Sequence, residues 1–239
     1  MRIELFFKTA AELSAAVTFH KEALPWAQAF NLPNKVRNDN LFEVSSLLRL
    51  AMPGSHICVH YSMKNNKSKR APDTVDALRS FLCAAPAHGI DEVMVVSGGG
   101  RDKIAANSLY CLQQLAQQQQ QQQGVLSPFP PTSPTPTTIS PIFPPISVAF
   151  NPYLPNEEQR QEERDRLVAK LDTGLVSRVY LQFGTDAALL EEGLRFLQGH
   201  KEGQGGPVDV VGSVFLPSKQ LLARFRFRPV RSNFNSTAS

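Results

Sequence analysis

A carboxylate stands inside the first apolar run of this 239-residue chain, "RIELFF" at residues 2–7. Because a strand alternates its faces, Glu4 lies opposite Ile3 and Leu5 and shares its face with Arg2. Burying a carboxylate in a protein interior costs free energy, so such a residue is usually kept for a function, and desolvation raises its pKa. Glu4 is therefore a candidate general acid. The alternative is a solvent-facing or Arg-paired residue near the start of the chain.

A second candidate is the stretch "VVSGGGRD" at residues 95–102, where two Val residues run into glycines and then into charge. The stretch has neither the GxGxxG spacing nor the Lys-Ser/Thr of a P-loop, so it carries no nucleotide fingerprint. A flexible turn after a strand is the simpler interpretation. The functional alternative is that the glycines let a flat ligand approach the backbone while Asp102 reaches it.

Two histidines, His56 and His60, flank the apolar centre of "SHICVHY". Their even spacing puts them on one side of a strand, with Cys58 between them. A metal site would need further ligands, and no matching carboxylate motif stands nearby. We therefore predict a hydrogen-bonded histidine inside the fold and no metal site.

Composition limits the class of protein. The chain is 42% hydrophobic, and its 25 basic and 21 acidic residues give a net charge of +4, which is too balanced to indicate a polyanionic partner. The three cysteines show no CxxC spacing and suit a reducing compartment. We expect neither a signal peptide nor a membrane-spanning helix, because the first residues lack a long apolar stretch and no apolar run approaches about 18 residues. We expect a cytoplasmic protein with a small-molecule substrate, no membrane or nucleic-acid partner, and a possible homo-oligomeric state. The Arg/Phe alternation of "LLARFRFRPVR" leaves single-strand nucleic-acid stacking as a further alternative.

Strand and helix patterns alternate along the chain. Strands are predicted near residues 2–7, 29–36, 55–61, 91–97, 146–150, 177–183 and 208–215, with helical patterns between them. The continuous Val/Ile runs are typical of strands buried on both faces, which indicates an α/β fold with a parallel sheet. Polar residues or glycines recur just after the strands, which favours a (β/α)₈ TIM-type barrel over a doubly wound sheet. About seven β/α units are found and the eighth strand is missing, so we predict an incomplete barrel.

Local signals mark several helix ends. Thr9 is a predicted N-cap, with Glu12 three residues later completing a capping box. Gly174 is the predicted C′ residue of the charged helix before it. Thr185 is the predicted cap of the next helix.

One segment differs in composition from the rest of the chain. Residues 113–145 hold seven consecutive glutamines, Gln117–Gln123, followed by a stretch rich in Pro and Thr. Proline removes backbone donors, and the glutamine run offers no amphipathic pattern. We therefore divide the chain into four parts. The first part of the barrel is predicted at residues 1–112, a disordered insertion at 113–145, the second part of the barrel at 146–229 and an irregular tail at 230–239.

Six short motifs in order resemble the methylenetetrahydrofolate reductase family of flavin-dependent folate barrels. "IELFFKT" resembles that family's first-strand "FEFFPPKT", "SHICVHY" resembles "PHLTCI", and "HGIDEVMVVSGGGRD" resembles "NGIRHIVALRGD". Beyond the insertion, "ISVAFNP" resembles "ISVAAYP", "LVAKLDTGLVSRVYLQF" resembles "LKRKVDAGANRAITQFFF", and "VVGSVFLPSKQLLARF" resembles "IPGILPVSNFKQAKKF". The chain is thus similar to a divergent, truncated member of that family.

The resemblance implies an activity and a set of site residues. The activity is reduction of 5,10-methylenetetrahydrofolate to 5-methyltetrahydrofolate by NAD(P)H through bound FAD, in methionine and one-carbon metabolism. The implied catalytic residues are Glu4, as general acid, and Asp102. The implied substrate contacts are Gln182 and Gln220. The implied cofactor contacts are His56, Gly100, Arg101, Asp102, Ala149, Asn151 and Lys170. The alternative is a non-catalytic, barrel-derived protein that binds folate or a partner, which the missing strand and the altered flavin positions favour.

Overall fold

The computed structural model describes residues 2–5, 9–35, 39–66, 68, 70–97, 107–124, 143–203 and 208–213. Within these residues, seven strands alternate with helices. The strands are β1 (Arg2–Glu4), β2 (Ala29–Pro33), β3 (His56–Ser62), β4 (Glu92–Val96), β5 (Ile146–Phe150), β6 (Val176–Leu181) and β7 (Asp209–Val211). The helices are α1 (Ala10–Ala23), α2 (Leu41–Ala51), α3 (Met63–Asn66), α4 (Ala71–Ala84), α5 (Ser108–Gly124), α6 (Glu157–Leu171) and α7 (Ala187–Gly203), and a 3₁₀ turn covers Ala85–His88.

The seven strands form one parallel sheet in which each strand pairs with the next along the chain. A sequential order is that of a (β/α) barrel, whereas a doubly wound sheet reverses its strand order at a switch point. The described residues contain no eighth strand and no pairing between β7 and β1. The prediction of an incomplete TIM-type barrel is confirmed.

The two faces of the sheet have different chemistry. The outer face packs under the helices through buried apolar side chains, which include Leu5, Phe30, Ile57, Val59, Val93, Val148 and Val179. The inner face carries a smaller apolar cluster of Cys58, Met94 and Tyr180, together with polar side chains. Leu5 lies in the outer core, so the alternation of β1 places its neighbour Glu4 on the inner face, as the sequence pattern required.

The predicted N-cap Thr9 is confirmed, since its hydroxyl accepts the backbone N–H of Glu12 at 3.2 Å. Gly174 has a positive φ of 70°, but the C-cap of α6 is Asp172, so Gly174 lies one residue beyond the predicted C′ position. The predicted cap Thr185 is wrong by one residue. Instead, the Asp186 carboxylate accepts two backbone N–H groups of the first turn of α7, each at 3.0 Å. A charged acceptor binds these donors more strongly than a neutral hydroxyl does.

Helix α5 extends into the segment predicted to be an insertion. Leu112, Leu115 and Ala116 are buried, and the helix continues through the glutamine run to Gly124 while packing against α4 and α6. Glutamine is a good helix former, so an apolar stripe beside it suffices to anchor the helix. Residues 113–124 therefore belong to the helical layer, and residues 125–142 lie outside the described part of the chain.

Among the described helices, none has the length and apolar character needed to cross a membrane.

Candidate functional site

All strands of the sheet point the same way, so their carboxyl ends meet at one end of the barrel, here called the mouth. Enzymes with this fold place their active sites at this end. In the described residues, the mouth brings together Glu4 at the end of β1, His60 near the end of β3, Asn151 just after β5 and Gln182 just after β6.

Glu4 lies on the inner face of β1 and pairs in register with Asn31 of β2. Its side chain is exposed at the mouth, yet neighbouring protein atoms desolvate the carboxylate and raise its pKa, while the Lys35 ammonium opposes the shift. A carboxyl group with a raised pKa is a better proton carrier near neutral pH than an ordinary glutamate. This placement supports the proton-transfer role predicted for Glu4 without testing it.

His60 faces the same interior from β3, where it pairs with Pro33 on one side and Met94 on the other. Burial lowers the pKa of its imidazole to about 4, so the ring is neutral at pH 7. Its Nε2 atom has no hydrogen-bond partner in the described chain. A neutral imidazole with a free nitrogen can donate to, or accept from, a bound molecule according to its tautomer.

Asn34 holds the loops around His60. The Asn34 backbone N–H donates to the His60 carbonyl at 3.2 Å. The Asn34 side-chain oxygen accepts from the Ser62 N–H at 3.3 Å and from the Asn66 amide at 2.7 Å, while its own amide donates to Asp39 at 3.0 Å. Asn34 follows β2 directly, so its bonds tie the end of β2 to the end of β3 and to α3 beside His60.

The opposite rim is built by the loops after β5 and β6. The Asn151 side chain accepts the Tyr153 backbone N–H at 3.0 Å, which bends the first loop. The Tyr153 ring lies against Gly184 of the second loop, so closely that a Cβ atom on Gly184 would overlap it. The backbone N–H of the exposed Gln182 donates to the Phe150 carbonyl at 2.9 Å. The two loops are therefore packed together, and Gln182 lies exposed at the start of the second.

At the amino-terminal end of the barrel lies a set of paired charges, here called the Glu92 clasp: Arg2, His56, Glu92, Arg178 and Asp209. The Glu92 carboxylate is fully buried, lies 2.8 Å from the Arg2 guanidinium and also contacts Arg178. Arg178 in turn pairs with Asp209 at 2.9 Å, and the His56 Nδ1 atom lies 3.0 Å from Arg2. Burial, followed by the nearby Arg2 charge, lowers the pKa of His56. The clasp joins β1, β3, β4, β6 and β7.

The predicted site residues therefore divide between the two ends of the barrel. Glu4, Asn151 and Gln182 lie at the mouth, and Ala149 faces the interior beside Tyr180. His56 begins β3 at the opposite end. Lys170 lies in the last turn of α6, which leads back to the start of β6, so it also lies away from the mouth. Gly100, Arg101, Asp102 and Gln220 lie outside the described residues.

Comparison with known proteins supports the fold and identifies no family. No protein-family model and no curated protein matches the chain. The structure is similar to KGPDC from Streptococcus mutans, with a TM-score of 0.50 and 9% identity over 95% of this chain and 80% of that one. It is also similar to 3-keto-L-gulonate-6-phosphate decarboxylase from Vibrio cholerae, with a TM-score of 0.46 and 12% identity over 90% and 78% of the two chains. A likeness to an L-Ala-D/L-Glu epimerase has a TM-score of 0.45 and 15% identity, and covers 93% of this chain but only 51% of the epimerase. The chain thus spans about half the length of that protein.

The resemblance to methylenetetrahydrofolate reductases is wrong, and so is the folate reduction inferred from it. No family model matches the chain, and the solved structure that it matches at a TM-score of 0.50 is a KGPDC and not a folate reductase. The six motifs consist largely of apolar strands with polar residues or glycines beside them, a pattern that any parallel barrel repeats. The expectation of FAD and NAD(P)H came from this resemblance alone, and no described contact tests it.

Sequence reasoning missed the inner-face residues Asn31, Glu92, Arg178 and Tyr180. One signal was present for Glu92, because a charge at the start of the apolar strand "EVMVV" needs a partner when both faces of the strand are buried. The partner itself had no local signal, since Arg2 and Arg178 are 90 and 86 residues away.

Proposed function

We propose that this protein is a barrel enzyme that moves a proton at a carbon beside a carbonyl group of a small polar substrate. Glu4 is the residue that takes and returns the proton. The observation that carries the proposal is the position of Glu4, on the inner face at the carboxyl end of a barrel strand with its pKa raised by desolvation.

The chemistry assigns a complementary task to His60. When the carbon-bound proton passes to the Glu4 carboxylate, the electron pair of the C–H bond moves into the carbonyl group and negative charge develops on its oxygen. A neutral imidazole that donates from Nε2 stabilises this oxygen without giving up a full proton, a pattern known from other barrel enzymes. The low pKa and free Nε2 of His60 suit this role.

Hydrogen exchange tests the proposal across a whole class of carbonyl compounds at once. The protein is incubated in D₂O with a panel of ketoses, aldoses and 2-keto acids, and ¹H NMR follows the loss of signal at the carbon beside the carbonyl. We expect at least one compound to exchange. Glu4→Gln slows this exchange by about 10²–10⁴-fold, because the amide cannot carry the proton.

Glu22→Gln, an exposed glutamate on α1, is the matched control and keeps the parent rate. Exchange at the parent rate in folded Glu4→Gln protein would remove Glu4 from the reaction. Absence of exchange across the whole panel would contradict the proposed chemistry.

A further inference from the structure

Strand β1 is held in the sheet from one side, because β2 is its only strand neighbour in the described residues. A backbone bond at its end runs from the Leu5 N–H to the Asn31 carbonyl at 2.9 Å. On the inner face, Arg2 ties the strand to the Glu92 clasp. Glu4 lies two residues further along the same face, so the group that fixes or frees Arg2 also positions Glu4.

Arg2 is held by side chains of three other strands. Its guanidinium lies 2.8 Å from the Glu92 carboxylate, 3.0 Å from His56 Nδ1 and 5.7 Å from the centre of the Tyr180 ring. The Glu92 side chain is fully buried and that of Arg2 is 15% exposed, so little water reaches this ion pair. His56 differs, since 37% of its side chain is exposed and protons can reach the ring.

The contact between Arg2 and His56 requires a neutral imidazole. A guanidinium group only donates hydrogen bonds, so Nδ1 accepts from it and the ring proton lies on Nε2. Nε2 faces the Glu92 carboxylate at 3.7 Å. A second proton on the ring goes to Nδ1, where it points at the guanidinium. The hydrogen bond is then lost, and two positive charges face each other across a distance of 3.0 Å.

The charges around His56 come from β1, β4, β6 and the turn before β4. Arg2 and Arg178 oppose a proton on the ring, whereas Glu92 and Asp91 favour one. Strand β2 contains no charged residue, and both carboxylates already have arginine partners. Burial, followed by Arg2, outweighs the two carboxylates, so the pKa of His56 lies below the ordinary histidine value.

We propose that His56 is a pH-sensitive latch on strand β1: the neutral ring holds Arg2 and keeps the strand in place, and protonation of the ring releases it. Because β1 carries Glu4, the latch also switches off the proton-transfer site in acidic surroundings. The latch itself rests on the clasp alone, and only its effect on Glu4 rests on the proposed function.

The direction of the switch follows from the pKa of His56. In the released state the ring regains its contact with water, so that state binds the proton more readily than the latched state does. The latch is therefore fully closed above the ordinary pKa of 6.5, and it is lost as the pH falls through the lower pKa of the latched ring.

Amide exchange at Leu5 measures the latch without any substrate, because the Leu5 N–H is bonded to β2. Protection factors from NMR correct for the intrinsic effect of pH on exchange. Between pH 7.5 and pH 5 we expect the protection of Leu5 to fall by about tenfold, since the released state takes up the additional proton. His60 has a pKa of about 4, so its ring stays largely neutral over this range.

Two substitutions at His56 fix the latch in opposite states. His56→Gln should abolish the pH dependence at Leu5, because the amide oxygen accepts from Arg2 at every pH. His56→Lys places a permanent charge beside Arg2, so its protection at pH 7.5 should match that of the parent at pH 5. His200→Gln, on α7 and outside the clasp, is the matched control and keeps the parent behaviour. Thermal unfolding verifies that each variant folds, and His56→Gln carries the test if His56→Lys does not fold.

Constant protection of Leu5 in the parent, or an equal loss in the parent and in His56→Gln, overturns the latch. The effect on Glu4 is read from proton exchange on the carbonyl compounds over the same pH range. There the parent should lose about tenfold more of its rate than His56→Gln does, and equal pH profiles overturn the control of Glu4. A latch at Leu5 without exchange on any carbonyl compound supports the latch and refutes the proposed function instead.

Discussion

Glu4 and His60 are shifted in opposite directions by the same physical cause. Neighbouring protein atoms remove water from around each group, partly for Glu4 and more fully for His60. This desolvation disfavours whichever form carries the charge, so the pKa of the carboxyl rises and that of the imidazole falls. Both side chains are thereby biased towards their neutral forms. The barrel interior supports reactions in which charge is created briefly and then removed.

The stability of the fold should depend on the charge of His60. Its folded pKa of about 4 lies below the ordinary 6.5, so the unfolded chain binds the proton more readily. The stability contributed by neutral His60 is fully present above pH 6.5 and is lost as the pH falls towards 4. The loss reaches about 3 kcal/mol, from the size of the pKa shift. Urea unfolding of the parent and of His60→Gln between pH 4 and 7 measures it, and equal pH dependence in the two proteins would contradict it.

At the scale of single elements, the part of α5 that continues into the glutamine run, residues 113–124, is anchored to the helical layer by Leu115. This residue lies just before the run and is 1% exposed. Leu115→Ala should lower the free energy of unfolding by about 2–5 kcal/mol, because it leaves a cavity under the helix. Gln120→Ala, at an exposed position of the same helix, should change it by less than about 0.5 kcal/mol. If denaturant unfolding gives similar free energies of unfolding for the two variants, residues 113–124 do not pack as described.

The contact between Tyr153 and Gly184 should control the shape of one rim of the mouth. A methyl group at Gly184 would overlap the ring, so Gly184→Ala forces the loops apart at a cost of about 1–3 kcal/mol. Gly199→Ala is the control, since no atom lies within 4 Å of the added Cβ, and there the change should stabilise α7 by up to about 1 kcal/mol. Thermal unfolding compares them. The added substitution Tyr153→Ala should restore part of the loss at Gly184.

These elements also show how far sequence reasoning extends. The strands and the Thr9 cap were predictable because each depends on residues only a few positions apart. The extent of α5 was not, because its glutamines match the composition of a linker while three apolar residues decide the packing. The Glu92 clasp could not be predicted, because it requires the register of strands that are distant in the chain. Glu4 was found because a charge in an apolar strand is a local signal.

At the scale of the whole molecule, the Glu92 clasp links the two edge strands of the sheet through the interior. In the described residues β1 and β7 are not hydrogen-bonded to each other, yet Arg2, Glu92, Arg178 and Asp209 form a continuous path of ion pairs from one to the other. A closed barrel is held by lateral hydrogen bonds all the way round. Here, ion pairs through the interior hold the amino-terminal end of the curled sheet.

Glu92→Gln should therefore loosen both edges of the sheet together. The amide leaves Arg2 and Arg178 without their shared countercharge, and we expect a loss of about 3 kcal/mol. Hydrogen–deuterium exchange should rise in peptides that cover residues 2–5 and 208–213. Asp73→Asn, which disrupts an exposed ion pair with Arg70, should leave both peptides unchanged. Faster exchange at one edge only would show that the clasp does not join them.

The outer core and the inner face of the sheet are built from separate sets of side chains, which determines how substitutions combine. The helices rest on one set of side chains, and the candidate ligand-facing groups belong to another, with the sheet between them. Substitutions on opposite faces share no partners, so their effects on stability should add to within about 0.5 kcal/mol. Robustness and specificity can therefore be selected, or engineered, as independent traits. Stabilising substitutions at Val59, Val93 or Val148 in the outer core can therefore offset destabilising substitutions on the inner face.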